Sequence, residues 1–308
     1  MDYDELKANL KSAAFTNPTP FSEDGEEVLH DELASNVEWI VDHGAKVIIP
    51  CGNTGEYHSL SADERAAVVA TTTEAAKGMG DATVVGGLGG STKSALSLLA
   101  EYESAGVDAA MVMHPIHTYM HYEGIRRYYE RIIEATDLGV VLYKRGPELS
   151  TDHIATLAAY DNVVAVKYAD NDVAAFSGAV SDIDGVVWSN GIAERFGPAF
   201  AVEGAEAFTT GIGNFVPEAT LALDDALREG NWEEARRVRD LCRPYEDLRE
   251  ETGGGNSEIV AANNVPAVKY GQELAGLYGG PVREPLVDLS AEDRERAEAY
   301  YDRIVSEI

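Results

Sequence analysis

The sequence predicts a (β/α)8 barrel, a TIM barrel, followed by a C-terminal helical extension. Three observations carry that expectation. Eight short apolar, β-branched runs alternate with longer amphipathic ones as far as Gly211. The runs are apolar throughout rather than every second residue, as in strands buried on both faces of a parallel sheet. No G-x-G-x-x-G fingerprint follows the first run, which sets the runner-up, a doubly wound open sheet, behind the barrel. After Gly211 only helical patterns remain, so residues 1–229 read as barrel and 230–308 as extension.

In order, strands are expected at Ser12 to Thr16, Ala45 to Pro50, Ala82 to Gly86, Asp108 to His114, Leu138 to Tyr143, Val163 to Tyr168, Gly185 to Asn190 and Glu206 to Gly211. Helices fill the gaps. Ser61-Ala62-Asp63-Glu64 has the capping-box form, Ser91 or Thr92 opens the next helix, and Ser150 another. Gly78, Gly106 and Gly204 stand where helices should end. The last four helices are expected at Pro217 to Glu229, Trp232 to Glu251, Ser257 to Tyr278 and Ser290 to Ile308, with Gly253-Gly254-Gly255 and Gly279-Gly280-Pro281 as linkers.

With 308 residues, 45% of them hydrophobic, core material is not limiting. Charge is the unusual property: 54 acidic against 24 basic residues, only eight of these lysine, give a net of -30. The excess is spread over expected helix faces such as Glu229 to Glu251 and Asp288 to Glu307. A surface so negative repels nucleic acid and anionic membranes, and it suits a high-salt (halophilic) cytoplasm, where screening acts beyond about 3 Å at 1 M. Two distant cysteines, Cys51 and Cys242, fit a reducing compartment. The acidic start Met1-Asp2-Tyr3-Asp4-Glu5 has no signal-peptide character, and no apolar run approaches the roughly 18 residues of a membrane helix. A cytoplasmic protein is expected.

Chemistry is suggested first by Asn162-Val163-Val164-Ala165-Val166-Lys167-Tyr168, a buried-strand pattern that ends on a lysine. Burial disfavours the ammonium by up to about 3–5 pKa units and frees an amine that can attack a carbonyl. The plainer alternative is a lysine that snorkels outward or pairs with Asp170 or Asp172. In a barrel all strand ends share one mouth. There Lys167 would meet Thr16, the loop Cys51-Gly52-Asn53-Thr54-Gly55-Glu56, the run Gly86 to Gly90, His114, Tyr143, Asn190 and Gly211 to Asn214. Tyr143, one strand away from Lys167, could carry protons for imine and enamine steps, with Thr54 as relay, or be a core tyrosine with a wet hydroxyl. Gly52, Asn53, Thr54 and Gly55 could grip a small carboxylate, or simply form a βα turn. Arg145 or Lys144 could meet a second carboxylate, with Asn190 and Gly211 lining the substrate site. His114, His117 and His121 offer a zinc alternative, but Pro115 interrupts helical spacing between the first two, and the expectation is no metal and no cofactor.

Thr19-Pro20-Phe21 with Asp24-Gly25, Gly52-Asn53-Thr54-Gly55-Glu56, Tyr143 and Val166-Lys167 together resemble the dihydrodipicolinate synthase and N-acetylneuraminate lyase superfamily. The resemblance implies a barrel with a helical extension, usually a homotetramer, acting on a 2-keto acid through a lysine Schiff base. Lys167 would be the imine lysine, Tyr143 the proton-transferring phenol, and Asn53 with Thr54 the carboxylate grip. Details look most like 5-dehydro-4-deoxyglucarate dehydratases: Asp4-Glu5-Leu6-Lys7, Ala135 to Val140, Tyr143 followed by Arg145, Asn214-Phe215-Val216-Pro217, and Gly280-Pro281-Val282-Arg283 with Pro285-Leu286 and Asp288-Leu289. Those enzymes remove water and CO2 to give 2,5-dioxopentanoate. Glu148 stands where synthases have an arginine, Ile116-His117 replaces their tyrosine pair, and Lys144 replaces the dehydratases' asparagine. Retro-aldol cleavage to pyruvate, dihydrodipicolinate synthesis and a non-catalytic ligand-binding barrel remain as alternatives.

Overall fold

The computed structural model describes residues 2–253 and 261–308. Its strands are β1 (Ala14–Phe15), β2 (Val47–Ile48), β3 (Thr83–Leu88), β4 (Ala109–Val112), β5 (Gly139–Lys144), β6 (Val163–Tyr168), β7 (Val187–Asn190) and β8 (Ala207–Thr210). All neighbours are parallel and β8 pairs back onto β1, so the sheet closes into a barrel. Each predicted run overlaps one strand. Although β1 and β2 are short, Ile49 N donates to Phe15 O at 2.8 Å and Thr16 N to Thr210 O at 2.9 Å, so the ladder continues toward the mouth.

Strand β3 extends past its predicted end, and Gly86 and Gly87 lie within it rather than after it. The reason is steric. A methyl group on Gly86 would strike the Tyr102 ring, and one on Gly87 would overlap the Cys51 carbonyl. Tyr102 Oη donates to Gly87 O at 2.7 Å, locking the ring into the space the glycines leave.

The helices are α1 (Tyr3–Asn9), α2 (His30–Asp42), α3 (Ala62–Met79), α4 (Thr92–Ala105), α5 (Tyr122–Ile133), α6 (Thr151–Leu157), α7 (Val173–Asp182), α8 (Gly197–Val202), α9 (Pro217–Arg228), α10 (Trp232–Arg249), α11 (Asn264–Leu274) and α12 (Ala291–Glu307). Helix α1 is not among the expected elements; Asp2 caps it through Asp4 N and Glu5 N, and its Leu6 fills the space a side chain on Gly139 would need. The caps at Ser61, Ser91 and Ser150 form as expected, and Gly106 ends α4 in the left-handed region. Gly78 lies inside α3, which stops at Gly80 instead. Helix α11 starts at Asn264 rather than Ser257, with Pro266 in its first turn where a missing N–H costs nothing; Gly254 to Val260 of that stretch lie outside the described residues. Among the described residues, no helix is long and apolar enough to cross a membrane.

Candidate active site

Strands β5 and β6 place Tyr143 beside Lys167 in register. Both side chains are buried, with Lys167 only 7% exposed, and the amine lies 4.7 Å from the centre of the phenol ring. Neither aspartate proposed as its partner reaches it. Asp170 pairs with Lys144 at 2.5 Å and accepts from Gly146 N at 2.7 Å, while Asp172 caps α7 through Ala175 N. Burial first, then the cations Arg145 and Arg249, push the Lys167 amine down to about 7. A large share of it is therefore unprotonated near neutral pH.

The phenol oxygen of Tyr143 receives two donors. Asn53 Nδ2 donates at 3.1 Å and Arg145 Nη1 at a long 3.5 Å. With both acceptor positions addressed, the phenol's own proton is the one left to move.

The loop after β2 is shaped by more than its glycines. A methyl on Gly55 would come within 2.9 Å of Cys51 N and 3.1 Å of Asn17 O, so Gly55 is sterically required, whereas Gly52 has ordinary clearance. The left-handed residues are Cys51 and Glu56, both with φ of 55°. Two non-glycine residues held this way store about 1–3 kcal/mol each. A buried ion pair holds the far end: Glu56 Oε1 meets Lys269 Nζ of α11 at 2.6 Å, and Glu56 Oε2 accepts from Arg283 N at 3.0 Å. Thr54 Oγ1 lies 3.3 Å from Thr16 Oγ1, whose hydrogen is taken by the Thr210 carbonyl at 2.6 Å. That leaves Thr54 as the donor between them.

The model of the dihydrodipicolinate synthetase family matches residues 11–303. The chain belongs to that family. A 5-dehydro-4-deoxyglucarate dehydratase from Pseudomonas putida is 25% identical over 310 residues, 99% of each chain. A probable enzyme of the same name from Acinetobacter baumannii (strain AB307-0294) is 26% identical over 302 residues, 96% of each. The dihydrodipicolinate synthase structure from Oceanobacillus iheyensis superposes with a TM-score of 0.93 at 35% identity, covering 99% of this chain and 100% of that one. The protein is thus a lyase of the dihydrodipicolinate synthetase family, with the closed barrel and C-terminal helices described above.

Several expected site residues of this family member have other work. Both ends of the Asn190 amide are engaged in the loop after β7, Nδ2 donating to Ala193 O and Oδ1 accepting from Ile192 N, each at 2.9 Å. Asn190 therefore braces the loop after β7 through both ends of its amide. Lys144 is buried and paired with Asp170 and the Gly146 carbonyl, so its ammonium is already engaged within the protein. The histidines do not converge: His117 Nδ1 accepts from Tyr119 N and His121 Nδ1 from Glu123 N, and no three potential metal ligands cluster among the described residues. The Cys51 thiol, pushed up to about 12 by burial, is no nucleophile.

Gly211 makes room for a residue that the sequence reading missed. A methyl there would overlap the guanidinium of Arg249, a buried cation delivered by α10. Arg249 Nη1 pairs with Glu246 at 2.6 Å, and Nη2 donates to Asn264 Oδ1 at 3.0 Å. Beside them Glu194 is fully buried; its Oε1 accepts from Thr210 Oγ1 at 2.5 Å and Thr220 Oγ1 at 2.8 Å, and its Oε2 has no partner among the described residues. Burial and the neighbouring Glu246 push its carboxyl up to about 7. A signal for Glu246 and Arg249 existed, since both fall on the buried face of α10 with Val238, Leu241, Cys242 and Tyr245. Glu194 gives none.

Proposed function

We propose that the enzyme forms a Schiff base between Lys167 and a 2-keto-3-deoxy sugar acid and dehydrates it, with 5-dehydro-4-deoxyglucarate the best candidate substrate and 2,5-dioxopentanoate the product. One observation carries the reading: a buried lysine with no carboxylate partner among the described residues, its amine 4.7 Å from the ring of a phenol that two donors hold in place. The neutral amine adds to the ketone, and loss of water gives the iminium. That cationic nitrogen accepts electrons as the adjacent methylene gives up a proton, for which Tyr143 is the carrier at hand. The resulting enamine expels the β-hydroxyl as water once that oxygen is protonated. With a terminal carboxylate one carbon beyond, CO2 leaves with its bonding electrons flowing back to the nitrogen; reprotonation and hydrolysis then free Lys167. In this reading Asn53, Thr54 and the backbone around Gly52 and Gly55 grip the keto-acid carboxylate, and Arg145 meets the distal one.

A second reading, dihydrodipicolinate synthase, is favoured by the higher identity to the solved synthase, 35% against 25% for the Pseudomonas putida dehydratase. Glu148 and Ile116-His117 speak against it, and retro-aldol release of pyruvate would use the same imine. Borohydride reduction in the presence of pyruvate, followed by peptide mapping, should label Lys167; label on any other residue removes the proposal. A panel of 2-keto-3-deoxy acids, with pyruvate and 2,5-dioxopentanoate measured separately, then separates the three reactions.

Two further properties belong to the same reading. The loop after β4 leaves Ile116 71% and Tyr119 83% exposed, apolar surface that a homo-oligomer, expected as a tetramer, would cover. The net charge of -30 suits a concentrated-salt cytoplasm and implies a fold that gains stability from KCl. The melting temperature should rise between low and molar salt, and an unchanged value would discard that idea.

A further inference from the structure

The loop after β2 is fastened from outside the barrel, and Glu56 carries the anchor. Its Oε1 meets Lys269 Nζ at 2.6 Å and its Oε2 accepts from Arg283 N at 3.0 Å. Both donors belong to one stretch, 269–283, within which Lys269 Nζ also donates to Pro281 O at 2.6 Å. Arg283 ties that stretch to the barrel. Its guanidinium donates to Gly25 O at 2.6 Å, Glu26 O at 2.8 Å and Ser59 O at 3.1 Å, and forks onto the two oxygens of Glu64 at 2.8 and 3.0 Å. Tyr278 Oη adds a bond to Phe21 O at 2.7 Å. The anchor has a load to hold, because Glu56 keeps a left-handed φ of 55°, a conformation that costs about 1–3 kcal/mol and persists only where its surroundings enforce it.

From Glu56 the path to the phenol is short. Glu56 N donates to Asn53 O at 3.1 Å and Tyr57 N to Gly52 O at 3.2 Å, which closes residues 52–57 into one turn. From that turn Asn53 Nδ2 donates to Tyr143 Oη at 3.1 Å. We infer that Glu56, anchored by Lys269 and Arg283, is a positioning residue for Tyr143: the carboxylate fixes the turn, the turn fixes the Asn53 amide, and the amide fixes the phenol oxygen. The inference rests on the Schiff-base reading and deepens it, since it gives the C-terminal extension a share in the proton-transfer step. Lys167 stands outside this chain of contacts, held in β6 between Tyr143 of β5 and Ser189 of β7. Imine formation and proton transfer should therefore respond differently when the anchor is cut.

The test separates the two steps with saturating pyruvate. The extent of borohydride trapping at Lys167 reads imine formation. Loss of the pyruvate methyl signal in D2O reads proton removal from the imine and deuteron return. In Glu56→Gln exchange should fall by about 10–10²-fold, the loss expected when a reacting group is displaced by about 1 Å, while trapping keeps its wild-type extent. Exchange at the wild-type rate overturns the inference, and so does a parallel fall in exchange and trapping, the signature of a merely structural role. Should Glu56→Gln fail to fold, Glu56→Leu paired with Lys269→Met removes both buried charges, an exchange proteins commonly tolerate, and the same outcomes decide. Wild-type protein that is not trapped at Lys167 defeats the Schiff-base reading itself. Wild-type protein that is trapped without exchanging leaves the imine standing, but removes Tyr143 as the proton carrier and the role of Glu56 with it.

Discussion

Lys167 in the barrel mouth and Lys269 in the clamp beneath the β2 loop are both buried, 7% and 1% exposed, yet their surroundings are opposite. Lys269 meets Glu56 at 2.6 Å, donates to the Pro281 carbonyl at 2.6 Å and lies over the Phe21 ring. Lys167 has two arginines for charged neighbours and a phenol for company. Burial lowers both amines, but around Lys269 the carboxylate opposes the shift, while around Lys167 the cations add to it. Depth of burial therefore does not make a lysine reactive. Burial is the larger cause at both positions, and the sign of the neighbouring charge decides whether its effect is opposed, as at Lys269, or reinforced, as at Lys167.

The sharpest way to break this comparison is to make the same substitution at both positions. Lys167→Met should abolish imine trapping and turnover, with the fold retained or strengthened because an unpaired buried amine is replaced by an apolar side chain. The strengthening should be largest below pH 7, where the folded protein must carry the charge on an amine that prefers to lose it at about 7. Lys269→Met should do the reverse, costing about 3–5 kcal/mol by stranding the Glu56 carboxylate; denaturant melts that show equal stability changes at the two positions would end the distinction.

Next in size, Tyr143→Phe should still form the imine while turnover falls about 10²–10⁴-fold. Single-turnover trapping beside steady-state rates checks this, and full activity would release the phenol from its role. The smallest effect concerns Glu194. Its folded carboxyl holds its proton to about 7, against an ordinary value of 4.5, so the stability this group lends is complete below about 4.5 and is lost as pH rises to about 7. Glu194→Gln should remove that loss, so its melting temperature relative to wild type should climb across this window; a constant difference would show the carboxyl titrating normally.

The barrel was legible because strands buried on both faces leave unbroken apolar runs, and because Lys167 interrupts one of them. Tyr143 was legible by its place at the end of the preceding run. What misled were residues whose partners come from elsewhere in space. Lys144 looks free until β5 and β6 pair and bring Asp170 to it, and Asn190 looks like a mouth ligand until its loop folds back onto the amide. Arg249 lay in a helix read as a solvated appendix. The charged pair Glu246 and Arg249, three residues apart on an otherwise apolar stripe, was the clue that the stripe faces the mouth.

The bond between Glu56 and Lys269 has a practical consequence for anyone wishing to transplant this chemistry. A fragment ending after β8 would carry Lys167 and Tyr143 complete and would look like a minimal catalyst. It would lack Lys269, Arg283 and Arg249, so its loop after β2 would be left with a left-handed, desolvated glutamate and no counterion. The smallest transferable unit is thus the barrel together with its helical tail, and grafting designs should count the tail as part of the reaction vessel.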